Sequence, residues 1–362
     1  MNAIVVRGVL IYVSNSKRIV YWSISCLEPE IEAVSKEVFL LASQFRNSFI
    51  FSVTPHHIFR LSLRKRFIGF HSKSDLLLRI IIPSIERYCD INHIYGDICP
   101  WTFYKALRRK PVVLTIASER GNLNVDFIDR CKKIIVQTEK LYKSIIEIGV
   151  SSDKIEIIYP GVDLRRFNPG IDVCNIGAPT KILFASAPRS REELTERGVP
   201  LLLMAAKETP KIQYHLLYRK WRGGYTSFEP TKKLIANYAL KNVKLTNSVI
   251  HDMPEIYRDH HFTVIPYIHS SGGKECPNSL VESLACGRPV LISSVSPFAY
   301  FIEENQCGVV FDPNPASLIV AIEKGMKNYS ELSSRAATAA NKYFSQEKLL
   351  QRMSKIYEKL SG

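Results

Sequence analysis

The chain has 362 residues, of which 46% are hydrophobic, enough for about two buried cores, so the composition argues against a disordered protein. Its eight cysteines form no CxxC pair and no metal-ligand spacing with histidine, which argues against a zinc module and indicates reduced thiols in a cytosolic protein. The formal net charge of +15 indicates an anionic partner, such as nucleic acid, a phosphorylated ligand or an acidic membrane surface.

The N-terminal region does not predict a targeting segment. Its apolar run is broken by Arg7 and stops at Ser14, with no charged n-region before it and no small-residue cleavage site after it. Elsewhere no apolar run reaches the roughly 20 residues that a membrane-spanning helix needs. We therefore expect a cytoplasmic protein, with peripheral attachment to the inner face of a membrane as an option that the basic segment described below keeps open.

Strand-like and helix-like segments alternate through the first half of the chain. Strands are expected at residues 9–13, 19–24, 48–53, 92–95, 112–116, 133–137 and 155–158. Helices are expected at residues 30–45, 75–88 with a kink or break at Pro83, 101–108, 124–131 and 139–148. This alternation predicts a doubly wound α/β sheet.

A basic segment without carboxylates interrupts this alternation between residues 38 and 74. Its basic residues alternate with phenylalanines, which is typical of an interfacial segment that meets lipid phosphates and the headgroup boundary. The residues proposed for this contact with an acceptor or a membrane are Arg60, Arg64, Lys65 and Arg66. A solvated basic loop explains the segment equally well. Nucleic acid is the weaker choice, because no recognised binding motif accompanies the charge.

The segment 154–169, reading KIEIIYPGVDLRRFNP, predicts a domain boundary. A strand runs into the turn at Pro160 and Gly161, and a polar connector that ends in proline follows. Asp163 is better explained as a residue that caps this turn than as a catalytic group.

A second alternating unit begins at residue 181. Strands are expected near residues 182–185, 214–218, 243–245, 263–266, 290–293 and 309–311. Helices are expected at residues 200–207, 232–239, 253–257, 279–286, 297–304, 317–326 and 345–360. The chain is therefore expected to contain two parallel-sheet domains.

The richest segment of the chain is 274–290, reading KECPNSLVESLACGRPV. Pro277 and Asn278 open a helix that Asn278 can cap, while Glu282 points roughly away from the apolar face. Gly287 ends the helix, and a strand follows. The helix N-terminus faces the carboxyl ends of a parallel sheet, where its N–H groups and dipole favour a phosphate. A first-turn carboxylate, Glu282, can accept hydrogen bonds from ribose, although a solvated glutamate that stabilises the dipole is the alternative.

The letters PNSLVESLACGRPV resemble the C-terminal signature of glycosyltransferase family 4, which has the GT-B fold. The resemblance implies two Rossmann-like domains that face each other across a cleft. Residues 1–170, completed by the C-terminal helix 345–362, would bind the acceptor, and residues 171–344 would bind a nucleotide-sugar donor. It also implies transfer of the sugar to a glycan or lipid-linked acceptor, with retention of configuration and without a metal or another cofactor.

The resemblance also assigns roles to individual residues. Arg197 and Gly198 match the basic-residue-glycine pair that opens the next helix region in the family, and a guanidinium can hold a diphosphate bidentately. Apart from the resemblance, no aspartate pair stands at metal-binding spacing near the donor motif, so fixed positive groups must stabilise the departing diphosphate. Arg197 and Lys274 are the candidates. The candidate donor-binding residues are Glu282, Glu275, Pro277, Asn278, Ser279, Leu280, Arg189 and Gly198.

The sequence departs from the family pattern at several points. Lys274 stands where the first glutamate of a paired-glutamate motif is expected, and Ala117 replaces a common histidine. Ala187 lies near the place of a phosphate-binding arginine, for which Arg189 or Arg191 can substitute. These departures keep two alternatives open, namely a catalytically silent protein that keeps the fold and a sugar-nucleotide epimerase of the same architecture.

Overall fold

The structure is a computed structural model that describes residues 5–6, 9–10, 17–24, 27–30, 32–45, 47–54, 59–97, 102–118, 125–170, 179–219, 227–270 and 273–360. The chain forms two compact units, one of residues 1–160 with 347–362 and one of residues 161–346. Each unit contains a mainly parallel sheet with its own buried core.

Among the described residues of the first unit, ten strands and four helices precede the second unit. The strands are β1 Val5–Val6, β2 Val9–Leu10, β3 Ile19–Ser23, β4 Ser48–Thr54, β5 Phe59–Ser62, β6 Phe67–His71, β7 Ile91–Asp97, β8 Val112–Ser118, β9 Lys133–Val136 and β10 Ile155–Ile157. The helices are α1 Ala33–Gln44, α2 Asp75–Tyr88, α3 Val125–Arg130 and α4 Glu139–Glu147. Short 3-10 turns lie at Ser72–Ser74, Thr102–Ala106 and Ser152–Lys154. The main sheet has the order β10-β9-β8-β7-β3-β4-β6-β5, and β5 is antiparallel to β6.

The second unit repeats the alternation around a fully parallel sheet. Its strands are β11 Lys181–Phe184, β12 Gln213–Tyr218, β13 Val243–Asn247, β14 Phe262–Ile265, β15 Val290–Ser293 and β16 Gly308–Phe311. The helices that follow in the chain are α5 Arg191–Glu196, α6 Val199–Glu208, α7 Phe228–Asn237, α8 Met253–Arg258, α9 Asn278–Ala285, α10 Ala299–Glu304, α11 Pro315–Lys327, α12 Tyr329–Tyr343 and α13 Gln346–Lys359. The strand order β13-β12-β11-β14-β15-β16 places a topological switch point between β11 and β14.

These sheets confirm the predicted doubly wound α/β architecture, with local differences. Helix α2 continues through Pro83, so of the predicted kink or break at this residue the break is wrong. The basic segment forms the β5–β6 hairpin at the end of the sheet, which excludes the solvated-loop interpretation for its strands. Two helices, α5 and α12, were not predicted, because α12 contains mostly alanine and small polar residues and so lacks a strong apolar period.

The last helix, α13, belongs to the core of the first unit. Leu350, Met353 and Tyr357 are buried against strand residues of that unit. The Tyr357 hydroxyl lies 2.6 Å from Nδ1 of His93 in β7 and 3.2 Å from the hydroxyl of Tyr21 in β3. These buried hydrogen bonds fix the helix to two neighbouring strands, so the first unit is built from both ends of the chain.

The chain passes from one unit to the other twice, and the segments at these two points are hydrogen-bonded to each other. The Val162 N–H donates to the Phe344 carbonyl at 2.8 Å, and the Gln346 N–H donates to the Val162 carbonyl at 3.0 Å. The segment after Pro160 therefore already pairs with the second unit. For this reason the boundaries between the two units lie between residues 160 and 161 and between residues 346 and 347. The sequence predicted these boundaries after residues 170 and 344.

Candidate functional site

The carboxyl end of the sheet in the second unit, at the switch point between β11 and β14, is the candidate functional site. These two strands are hydrogen-bonded neighbours, and the chain continues from them toward opposite sides of the sheet. Ligands of open α/β sheets bind outside the carboxyl ends of strands at such a point. The segments that follow β11 and β14 contain most of the predicted site residues.

Arg189 and Arg197 meet on a single carboxylate, that of Glu193 in α5. Glu193 Oε1 lies 3.2 Å from a terminal nitrogen of Arg189, and Oε2 lies 3.2 Å from a terminal nitrogen of Arg197. The backbone N–H of Arg189 also donates to Glu193 Oε2 at 2.9 Å. Glu193 is only 9% exposed, so this pairing fixes both guanidinium groups near the exit of β11. Glu193 is not among the predicted site residues, although it lies four residues from each arginine at helical spacing.

Arg197 retains donor capacity after these contacts. One terminal nitrogen donates to Ser186 Oγ at 2.6 Å, while Nε is buried and has no acceptor among the residues that the structure describes. A buried donor without a partner costs free energy unless a ligand or water satisfies it. An anion placed beside this guanidinium would supply that acceptor. Arg191, in contrast, is exposed in the first turn of α5.

Gly198 brings the start of α6 against the exit of β14. Its φ of +72° lies in the left-handed region, and a Cβ at this position would lie 1.7 Å from the carbonyl oxygen of Pro266. Only glycine fits such a backbone approach. Beside it, the Ile268 N–H donates to the Glu196 carbonyl at 3.0 Å, so the arginine-bearing turn and the segment that leads to α9 are joined.

Helix α9 begins at Asn278, and the predicted capping role of Asn278 is wrong. The N-cap residue is Pro277, which provides no side-chain cap, and Asn278 is the first helical residue. Its Oδ1 accepts a hydrogen bond from Lys274 Nζ at 3.0 Å instead. Lys274, the residue in place of a family glutamate, is therefore held beside the first turn of α9.

Glu282 lies in the second turn of α9 and is 4% exposed. Its predicted first-turn position is therefore wrong, and so is the alternative of a solvated glutamate. The reason is packing on several sides, because α9 contacts α8, α12, β14 and β15. Glu282 Oε2 accepts a hydrogen bond from the hydroxyl of Tyr257 in α8 at 2.9 Å. Burial, and then the negative charge of Glu282, raise the pKa of Tyr257 well above its usual value. This partner was not predicted, since α8 and α9 are separated by β14 in the sequence.

The other selected residues of this segment differ in exposure. Glu275 and Pro277 are buried, whereas Lys274, Asn278 and Ser279 are half-buried. Leu280 is fully buried, and its N–H donates to the Pro277 carbonyl at 3.0 Å. The polar atoms that reach the surface of this segment therefore come mainly from positions 274, 278 and 279.

The basic residues of the first unit that were predicted to contact an acceptor or a membrane lie on the β5–β6 hairpin. Two of them have protein partners and two are exposed. Arg60 pairs with Glu28 at 3.4 Å, and Arg66 donates to the Ala42 carbonyl at 2.8 Å. Arg64 and Lys65 occupy the turn between the strands and are exposed. Only these last two extend fully into solvent.

A buried polar cluster surrounds Ala117 at the carboxyl end of β8. The carboxylate of Glu37 in α1 accepts hydrogen bonds from the Tyr95 hydroxyl and, at 3.1 Å, from Gln137 Nε2. Tyr95 belongs to β7 and Gln137 follows β9, so these hydrogen bonds join the segments on either side of β8, the strand that contains Ala117. The sequence signal for Glu37 is its position three residues after Val34, on the apolar face of α1.

Two absences concern the residues that the structure describes. Among these residues, no group of three or more His, Cys, Asp or Glu side chains is arranged to hold a metal ion. None of the helices described combines the length and hydropathy required to cross a membrane.

Comparison with known proteins points to glycosyltransferases. Residues 184–343 match the family model for glycosyl transferases group 1. A curated relative, D-inositol 3-phosphate glycosyltransferase from Thermomonospora curvata, is 23% identical over 249 residues, which cover 64% of this chain and 56% of the relative. The aligned part therefore spans little more than half of that relative.

Solved structures resemble the chain over nearly its whole length. Anabaena HepE in complex with UDP and glucose has a TM-score of 0.75 and 14% identity over 95% of this chain and 100% of its own. A glycosyltransferase from Rickettsia africae has a TM-score of 0.74 and 15% identity, covering 96% of this chain and 99% of its own. Sucrose-phosphate synthase from Thermosynechococcus elongatus has a TM-score of 0.73 and 14% identity, covering 95% and 99%. These likenesses confirm the predicted GT-B type of fold with two parallel-sheet domains.

Proposed function

We propose that this chain is a glycosyltransferase that takes a sugar from a nucleotide-sugar donor bound at the carboxyl end of the second sheet. The observation that carries the proposal is the pair of arginines held by Glu193 at the switch point, hydrogen-bonded through the neighbouring turn to the segment that leads to α9. The match of residues 184–343 to the group 1 glycosyltransferase model covers this same region. HepE, which has the same fold, binds UDP and UDP-glucose, so a uridine diphosphate sugar is the first donor to test.

In this proposal each group has a defined task. Arg197, Arg189 and the ammonium group of Lys274 meet the negative charge that develops on the departing diphosphate. Glu282 accepts hydrogen bonds from the ribose hydroxyls while Tyr257 orients its carboxylate. Transfer proceeds with retention of configuration. It needs no metal ion, because fixed positive groups and the first-turn N–H donors of α9 stabilise the negative charge of the departing diphosphate.

A lipid-linked acceptor is part of the proposal, and an apolar surface of the first unit supports it. We define the α2–hairpin face as the exposed residues Phe59, Leu61, Leu63, Leu76, Leu77 and Ile80, which are 50% to 74% exposed. Phe59 pairs with Phe70 across the hairpin, and Phe70 shares a core cluster with the buried side of α2. Phe59 and Leu61 therefore lie on the same side of the sheet as α2. The basic residues Arg64, Lys65, Lys73, Arg79 and Arg87 belong to the same two elements and the turn between them. Exposed apolar side chains with basic neighbours match the chemistry of an anionic bilayer surface.

A catalytically silent binding protein is the second candidate function. It is favoured by one observation, namely that Lys274 replaces the family glutamate and is engaged with Asn278. Such a protein would bind a nucleotide sugar without transferring or hydrolysing it.

A screen of nucleotide sugars tests both candidates. We expect one donor to bind in a titration and to be consumed when a lipid extract supplies acceptors. Binding without consumption in any extract would favour the silent protein. If no nucleotide or nucleotide sugar bound at all, the proposed donor site would be wrong.

A further inference from the structure

A second concave site lies at the opposite, amino end of the sheet in the second unit. This cavity has a volume of about 560 Å³ and is lined by the first residues of three neighbouring strands, including Lys181, Gln213 and Val243. His260, just after the end of α8, also lines it. The volume lies within the range of roughly 300–1,000 Å³ that small-molecule sites occupy. Because the candidate donor site is at the carboxyl end of the same strands, the two sites are distinct.

The wall of this cavity carries a surplus of positive charge. Its lining contains four lysines and one carboxylate, and that carboxylate, Asp259, pairs with Lys181 at 2.7 Å. The remaining lysines, Lys211, Lys241 and Lys244, have no carboxylate partner in the part of the chain that the structure describes. A concave surface concentrates the field of such charges and attracts anions.

The floor of the cavity is polar but uncharged at neutral pH. His215 and His260 stack with ring centroids 5.3 Å apart, and both are at least nine-tenths buried. Burial, followed by the nearby His260 and Lys244, lowers the pKa of His215 to about 4. Burial also lowers the pKa of His260, whose Nδ1 lies 2.7 Å from the Ile256 carbonyl oxygen. The histidines therefore provide hydrogen-bonding groups, and the lysines provide the charge.

We propose that this cavity binds a small phosphorylated anion. Lysine ammonium groups act as point charges toward phosphate, and three of them surround a space that fits a small ligand. The alternative is that the lysines only complement the negative C-terminal ends of helices. That role is best filled from the last turn of a helix, but Lys241 lies beyond the end of α7 and Lys244 lies within β13. Their position on the cavity wall is better explained by a ligand.

The test measures pyrophosphate binding by titration calorimetry with two double variants of the otherwise unchanged protein. Any pyrophosphate that binds at the candidate donor site contributes equally to both variants and cancels in their comparison. We expect Lys241→Ser/Lys244→Ser to weaken binding by roughly tenfold or more, because each ammonium contributes a charged hydrogen bond. The matched control is Lys232→Ser/Lys233→Ser, which removes the same charge from exposed positions of α7 outside the cavity and should leave affinity unchanged. Thermal unfolding should be the same for both variants, since all four side chains are exposed.

Three outcomes would overturn the proposal. Absence of measurable pyrophosphate binding would exclude the ligand class, and equal weakening in both double variants would show a general charge effect. Binding of an RNA oligonucleotide that is lost in the cavity variant, with no pyrophosphate binding, would show a macromolecular surface instead. Nucleotide-sugar binding by the Lys241→Ser/Lys244→Ser protein tests the donor site separately, so failure of one proposal does not affect the other.

Discussion

Buried carboxylates that face arginine or tyrosine determine the candidate site at the scale of single residues. Glu193 fixes two guanidinium groups, and Glu282 is joined to the Tyr257 hydroxyl. Both carboxylates are at most 9% exposed. A buried carboxylate is stable only when it is hydrogen-bonded or paired, so these contacts hold the side chains in one geometry before any ligand arrives.

Replacement of Glu282 tests its role as the ribose acceptor. We expect Glu282→Gln to weaken binding of the nucleotide by about 1.5–3 kcal/mol, the range for a hydrogen bond to a charged group. Tyr257→Phe keeps the carboxylate and removes only the hydroxyl that orients it, so it should weaken binding less. Titration calorimetry with UDP measures both effects. If Glu282→Gln and the unchanged protein bind UDP with equal affinity, Glu282 contributes only to packing and does not bind the ribose.

Replacement of Arg197 should lower the rate of sugar transfer much more than the affinity for the nucleotide. We expect Arg197→Ala to lower turnover by about 10²-fold, as for the loss of one donor to a developing charge, while nucleotide affinity changes much less. Arg191→Ala, an exposed arginine of the same helix, is the matched control. Turnover should persist in excess chelator. A strict requirement for a divalent metal would contradict the metal-free mechanism, and normal turnover of Arg197→Ala would transfer the phosphate role to Arg189 or Lys274.

The sequence predicted the arginines and Glu282 but not the groups that hold them. Arg197, Gly198 and Glu282 stand in local patterns that can be read within a few residues. Tyr257 meets Glu282 only because two helices pack on the same sheet, and no local pattern encodes that contact. The predicted capping role of Asn278 was wrong for a different reason, because the helix begins one residue earlier than the sequence indicated and Pro277 is its N-cap residue.

The fold of the first unit depends on one element that arrives from the far end of the chain, helix α13. Its Tyr357 reaches His93 and Tyr21, and all three side chains are fully buried. The strand and helix periods of the sequence predicted most strands of the sheets but not β1, β5 and β6, because apolar periodicity is a local property and a basic segment conceals it. They could not predict this contact, since residues 93 and 357 are distant in the sequence.

Removal of the Tyr357 hydroxyl tests how firmly α13 is attached. We expect Tyr357→Phe to lower the free energy of unfolding by about 1–3 kcal/mol, because it leaves buried polar partners unsatisfied. Tyr88→Phe, at an exposed position of α2, is the control and should have no effect. Urea unfolding followed by circular dichroism gives both values. Equal stabilities would mean that apolar packing alone holds the helix.

The buried His93 makes the stability of the first unit depend on pH. Burial lowers the pKa of His93 to about 3, whereas an unfolded histidine has a pKa of about 6.5. The unfolded chain therefore binds more protons between these values, and stability should fall as pH is lowered below about 6, by roughly 1 kcal/mol per pH unit. Urea unfolding between pH 4.5 and 7 measures this slope. His215 and His260 contribute in the same direction, so the diagnostic result is a smaller slope in His93→Gln.

The positive charge is spread across the molecule, so that different surfaces offer separate anionic contacts. The α2–hairpin face is in the first unit, whereas the arginine pair and the lysine-lined cavity are at opposite ends of the sheet in the second. The formal charge of +15 predicted an anionic partner but did not identify one, because net charge carries no information about position. Three surfaces with different geometry imply three different tests.

The proposal that the α2–hairpin face binds a membrane can be tested with the whole protein and lipid vesicles. We expect the protein to float with anionic vesicles at low salt and to dissociate as salt rises, because each basic residue near the surface contributes about 1 kcal/mol that salt screens. Leu76→Ser/Leu77→Ser should reduce flotation by removing exposed apolar contacts. Met204→Ser/Val320→Ser removes exposed apolar side chains from the second unit and serves as the matched control. If the protein floats equally poorly with neutral and anionic vesicles at low salt, the acceptor is soluble. If both double variants lose flotation equally, the contact is nonspecific.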